Sequence, residues 1–191
     1  MTLTSFLRKT ARILDEAGVP YMLTGSLAAA YYATPRATQD VDVVIDTSEA
    51  EVGRLVDLLL AEGLYVDRGT ALTAWRTRSQ FNAIDPDTGW KIDLIIRKDR
   101  AFSRAEFARR ERAEMFGIEV ALATLEDVVL AKLEWASMGD PELQRGDVLR
   151  LLQNEPNRLD RSYIERWAES LGIMQEWRSM LDRLDEDQRD A

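Results

Sequence analysis

The sequence predicts an α/β (α+β) core followed by a C-terminal helical subdomain. Strand-type and helix-type periodicities are interspersed as far as about residue 122, and from Thr124 onward the period is helical almost throughout. At 191 residues the chain has the size of one domain with a small extension. A chain of that length buries roughly 70% of the surface its unfolded form exposes, enough for a core without staples. The expected division is therefore a core over residues 1–122 and a helical subdomain over 123–191.

Residues 3–17 place Phe6, Leu7, Ala11 and Leu14 at helical spacing. Pro20 then opens a short apolar strand, YMLTG, and Ser26 is positioned to cap the small-residue helix SLAAAYYA. Pro35 ends that helix, and VDVVID alternates, with Val41, Val43 and Ile45 on one face. EAEVGRLVDLLLAEG reads as a helix stopped by Gly63. FNAID and WKIDLII flank Pro86-Asp87-Thr88-Gly89, the composition of a hairpin turn. The basic segment 97–112 reads as a short helix and FGIEVAL as a further strand. Thr124 with Asp127 starts the helix LEDVVLAKLEWASMG, and later helices are expected over about 141–153, 160–171 and 173–185.

Two zeros in the composition bound the chemistry. Without Cys there is no disulfide, thiol nucleophile or thiolate metal site, and without His no imidazole base or Ser-His-Asp relay. Any reaction must run on carboxylates, Lys, Arg, hydroxyls and a hard metal ion held through oxygen. The net charge of −9 argues against coating nucleic acid by bulk electrostatics. Residues 97–112 nevertheless hold seven basic and three acidic groups, whereas residues 113–191 hold nine basic and 18 acidic. No run reaches the eighteen or so apolar residues of a membrane span, and the N-terminal segment reads as an amphipathic helix, so no membrane partner and a cytoplasmic location are expected.

With 18 Asp in the chain, about two Asp-x-Asp arrangements are expected by chance, so position decides their value. Asp185/Asp187 lies in the charged tail, and Asp85/Asp87 brackets a turn where Asp is ordinary. Asp40/Asp42 alone sits in an alternating strand, where residues two apart share a face. Carboxylates held roughly 7 Å apart at their Cα atoms repel unless a cation joins them, which makes that strand a candidate seat for Mg2+. Upstream, Gly25-Ser26 at a helix start offers backbone N–H groups to a phosphate. Downstream, Lys91 and Asp93 share one face of WKIDLII, and Asp93 supplies a third carboxylate, as metal ligand or as base.

The segment GSLAAAYYATPRATQDVDVVID resembles the signature of the nucleotidyltransferase superfamily. With R-A-T-Q-D-V-D and the downstream LEDVVLAKLEWA, it is similar to the AbiEii/MenT-type toxins of bacterial toxin–antitoxin systems over about residues 20–150. The resemblance implies a mixed β-sheet flanked by helices, with a helical C-terminal part that contributes to the active site. It implies transfer of a nucleoside monophosphate from an NTP such as ATP, with Mg2+ or Mn2+ and release of pyrophosphate. A tRNA 3′ end is the implied acceptor and a cognate antitoxin the implied partner; the alternatives are a protein or small-molecule acceptor, or a nucleotidyltransferase fold that binds partners without catalysing. Carried over, Gly25 and Ser26 hold the triphosphate, Asp40 and Asp42 the metal, and Asp93 takes the third-carboxylate role. Lys91, on the face of Asp93, is a further candidate contact to the nucleotide. Arg36 is expected as a phosphate contact, and Thr38 shares the face of Asp40 and Asp42 if that strand begins early. In some relatives the antitoxin phosphorylates a hydroxyl near this site, and Thr38 and Ser26 are the candidates for that part here.

Lys132 falls inside the apolar stripe Leu125, Val128, Val129, Leu133 and Ala136. A lysine there must snorkel out, pair with a buried carboxylate, or reach a ligand phosphate. The resemblance assigns Lys132, and Asp147 on the following helix, to the nucleotide site.

Overall fold

The computed structural model describes residues 2–33, 38–139, 141–155 and 158–189. It has a mixed α+β architecture. Among the described residues a six-stranded mixed sheet runs in the order β3-β4-β2-β1-β6-β5, built from β1 (Tyr21–Leu23), β2 (Asp40–Ile45), β3 (Gln80–Ile84), β4 (Lys91–Ile96), β5 (Glu111–Met115) and β6 (Ile118–Leu122). The helices before Thr124 are α1 (Leu3–Ala17), α2 (Gly25–Tyr32), α3 (Glu49–Ala61), α4 (Arg68–Thr77) and α5 (Ala101–Arg109). After it come α6 (Leu125–Met138), α7 (Pro141–Asn154), α8 (Arg161–Leu171) and α9 (Met174–Arg189).

The chain divides into two compact units, Met1–Leu27 with Ala37–Ala123, and Ala28–Arg36 with Thr124–Ala191. In the first, the alternation read from the sequence sets the sheet's faces. Val41, Val43 and Ile45 of β2, Ile92, Leu94 and Ile96 of β4, and Phe81 and Ala83 of β3 are buried. Residues between them on β2 and β4, Asp40 and Asp42, Lys91 and Asp93, are only partly covered, as a period of two requires. The β3–β4 hairpin closes through Asp85, a buried carboxylate that accepts the backbone N–H groups of Asp87 and Thr88. Asp85 is thus turn chemistry, as its spacing implied. Helix α3 starts on a capping box in which Ser48 accepts the Glu51 N–H and the Glu51 carboxylate accepts the Ser48 N–H.

Two elements were not anticipated. Helix α4 fills the gap after Gly63, capped by Asp67 accepting the Thr70 N–H; it buries only Ala71 and Ala74, so it carries no large apolar stripe. Strand β5 pairs antiparallel with β6 at the edge of the sheet, and three of its five residues are charged. Ser26 lies within the first turn of α2, since the helix begins at Gly25, whose φ is 63°.

In the second unit, α6 packs against α7 and α8, and α9 against α7 and α8. Val128, Val129 and Leu133 of α6, Leu151 of α7, Ile164 of α8 and Trp177 of α9 are buried. Thr124 caps α6 by accepting the Asp127 N–H, and its hydroxyl donates to Asp127 Oδ2 at 2.7 Å. The Tyr163 hydroxyl donates to the other oxygen of that carboxylate, also at 2.7 Å.

Candidate active site

Strands β2 and β4 lie side by side and parallel, in a register that places Asp42 opposite Asp93 and Asp40 opposite Lys91. The β3–β4 pairing adds Asn82 opposite Asp93. One face of the sheet therefore presents two neighbouring rows, Asp42–Asp93–Asn82 and Asp40–Lys91. Among the described residues, these two rows hold three carboxylates and one ammonium. Asn82 was not singled out in the sequence. Its signal was a polar, outward position in an alternating strand, which gains meaning only once the register is known.

Asp42 is set by β1 and the start of α2. The backbone N–H of Thr24, the residue after β1, donates to the Asp42 carbonyl at 3.0 Å. The next residue, Gly25, takes the left-handed conformation, and a Cβ there would overlap the Asp42 carboxylate. The absence of a side chain lets Asp42 Oδ2 approach the helix start, where the Ser26 backbone N–H lies 3.4 Å away. The Gly-Ser turn and the first strand carboxylate thus act on each other directly.

Asp40 and Asp93 are organised by Lys91. Its Nζ lies 2.8 Å from Asp93 Oδ2 and 3.5 Å from Asp40 Oδ1. The Asp93 side chain is 15% exposed and that of Asp40 48%. The hydrogen-bonded Asp93 carboxylate holds the Lys91 ammonium above its ordinary pKa; partial burial opposes this and the charge of Asp40 adds to it.

Among the described residues no three carboxylates converge closely enough to hold an ion as they stand. The donor set nevertheless suits a hard cation. It is all oxygen, and two of its acids already share a cationic group, the Lys91 ammonium.

Other expected positions fall as follows. Thr38 precedes β2, and its hydroxyl is engaged with the backbone of Asp40, accepting the N–H at 3.2 Å. The condition that would put it on the carboxylate face, an early strand start, is not met. Arg36 lies outside the described residues. Lys132 is 3% and Asp147 4% exposed, and Lys132 Nζ donates to Asp147 Oδ2 at 2.6 Å and to Gln144 Oε1 at 3.3 Å. Arg150 pairs with the other Asp147 oxygen. Lys132 thus sits in a buried ion pair with Asp147.

No family model matches the chain, and no curated protein does. Solved structures do. The antibiotic-resistance factor ANT(2'')-Ia, in complex with adenylyl-2''-tobramycin, aligns over 96% of this chain and 99% of its own, with a TM-score of 0.56 at 15% identity. An antigenic nucleotidyltransferase-like protein from Paracoccidioides brasiliensis aligns over 96% and 92%, with a TM-score of 0.57 at 16% identity. The lincosamide antibiotic adenylyltransferase LnuA, lincomycin-bound, aligns over 79% and 96%, with a TM-score of 0.53 at 11% identity. The fold is that of nucleotidyltransferases. Within this nucleotidyltransferase fold, no helix among the described residues is long and apolar enough to cross a membrane.

Proposed function

We propose that the chain transfers a nucleoside monophosphate from an NTP to an acceptor hydroxyl and releases pyrophosphate. The observation that carries this reading is the parallel register of β2 and β4, which sets Asp42 beside Asp93 while the Gly25-Ser26 helix start abuts Asp42. A helix N-terminus offers backbone N–H groups and the positive end of its dipole to a triphosphate. Asp40 and Asp42, with Asp93, would hold Mg2+ or Mn2+. Such an ion, when bound, neutralises charge on the transferring phosphoryl group and the departing pyrophosphate. The chain's own residues do the rest: Ser26 and Gly25 orient the triphosphate, Lys91 offers it a cation, and Asp93 accepts the proton of the attacking hydroxyl. No imidazole is needed, which suits a chain without His.

For the acceptor, the R-A-T-Q-D-V-D and LEDVVLAKLEWA segments favour a tRNA 3′ end, and with it a toxin held in check by a cognate antitoxin in the cytoplasm. That resemblance also gives Lys132 and Asp147 a part in binding the nucleotide. A second reading, a hydroxyl on a small molecule, is favoured by the fold likeness to ANT(2'')-Ia and LnuA. The test is incubation of the protein with each α-labelled NTP and Mg2+, offered total tRNA, lysate protein and a panel of hydroxylated antibiotics. Label at tRNA 3′ ends supports the first acceptor and label on a small molecule the second. Label in none of them, or equal label with Asp40→Ala, overturns the proposal.

A further inference from the structure

We infer that the Lys91 ammonium stands in for a divalent cation on the carboxylate face, and that the ion enters only as Lys91 withdraws. The inference rests on the nucleotidyl-transfer reading above and adds to it a means by which the site controls its metal. The three acids are not held alike. Asp42 is held by the start of α2, through the Gly25 contact and the Ser26 N–H. Asp40 and Asp93, in adjacent register rows, both reach for Lys91 Nζ, at 3.5 Å and 2.8 Å. A metal ion needs those same oxygens turned toward itself.

Two cations within a few ångströms of one another repel strongly at a partly covered surface, so ammonium and metal exclude each other. The exchange is feasible because Lys91 is 31% exposed on a flexible four-carbon stem, so its ammonium can swing into water without heavy desolvation. Once displaced, it is a cation released beside the face where the triphosphate is proposed to bind. Metal entry then favours triphosphate binding and triphosphate binding favours metal entry, since such a coupling is reciprocal. In the bare site the ammonium offsets the mutual repulsion of the carboxylates. The site is also kept from holding a metal ion tightly when no nucleotide is present.

The experiment is a titration with Mn2+, following free ion by electron paramagnetic resonance, on wild type, Lys91→Met and Lys91→Gln, with folding checked by circular dichroism. Each is measured with and without a non-hydrolysable NTP analogue. Both variants should bind Mn2+ without nucleotide about tenfold more tightly than wild type at low salt. The gain in Mn2+ affinity that the analogue gives wild type should shrink in both. Equal or weaker Mn2+ binding by the variants, with wild type still binding, overturns the inference and leaves the nucleotidyl-transfer reading standing. If none of the three proteins binds Mn2+ even with the analogue, that reading falls and the inference with it. A lysine serving only to tie the strands together would give weaker Mn2+ binding in both variants.

Discussion

The side chain that Gly25 lacks would occupy the space held by the Asp42 carboxylate, and the backbone at Gly25 is left-handed as well. Either condition alone disfavours a substitution; together they leave an alanine no relaxed position. Gly25→Ala should cost about 1–3 kcal/mol of stability from the backbone conformation, read from urea unfolding. It should also displace Asp42 and reduce transfer activity far beyond what the loss of folded protein accounts for. Wild-type turnover in a folded Gly25→Ala would show that the Asp42 position is irrelevant to the reaction.

Asp40 and Asp42 differ in how much the fold depends on them. The Asp40 side chain is half exposed and makes one long ion pair, whereas Asp42 is wedged at the start of α2. Asp40→Asn should therefore leave the melting temperature close to wild type while abolishing NMP transfer, because a neutral amide cannot serve as an anionic ligand. Retained transfer in Asp40→Asn, assayed by pyrophosphate release, would remove Asp40 from the site.

The capping box of α3 predicts an acid sensitivity with a definite sign. Hydrogen bonds from the backbone N–H and hydroxyl of Ser48 hold the Glu51 carboxyl below its ordinary pKa. The folded state thus binds this proton less readily than the unfolded state. The stabilisation is fully present above the unfolded value near 4.5 and is lost as pH falls through the lower folded value. Glu51→Gln should flatten the decline of the urea midpoint between about pH 5 and pH 3. An unchanged slope would mean that other carboxylates govern acid unfolding.

The features legible in the sequence were those written at short range. VDVVI and KIDLI announce their faces by alternation, and Val41, Val43, Ile92 and Leu94 are buried as that pattern requires. The turn role of Asp85 and the helix start at Thr124 followed from local chemistry. Elements without an apolar signature were illegible: α4 presents small buried residues, and β5 is a charged edge strand held by its neighbour. The register was out of reach too. That Asp42 stands opposite Asp93, and that Asn82 joins their row, depends on pairing between distant segments. So does the closeness of Lys91 to two acids at once, because a sequence gives the face of a side chain but not its rotamer.

Lys132 and Asp147 give the last prediction, because stability and activity separate there. The pair is almost fully buried, with Arg150 on the second carboxylate oxygen and Gln144 on the ammonium. Lys132→Ala strands most of a buried carboxylate and should cost about 3–5 kcal/mol in urea unfolding. The double variant Lys132→Met/Asp147→Leu removes both charges and keeps the apolar stem, so it should recover most of that loss. The resemblance gives both residues a part in binding the nucleotide, and on that reading the stable double variant lacks transferase activity per folded molecule. A double variant as stable and as active as wild type would make the pair a structural salt bridge and nothing more. A Lys132→Ala variant of unimpaired stability would contradict the ion pair itself, since a buried carboxylate does not lose one of its two cationic partners without cost.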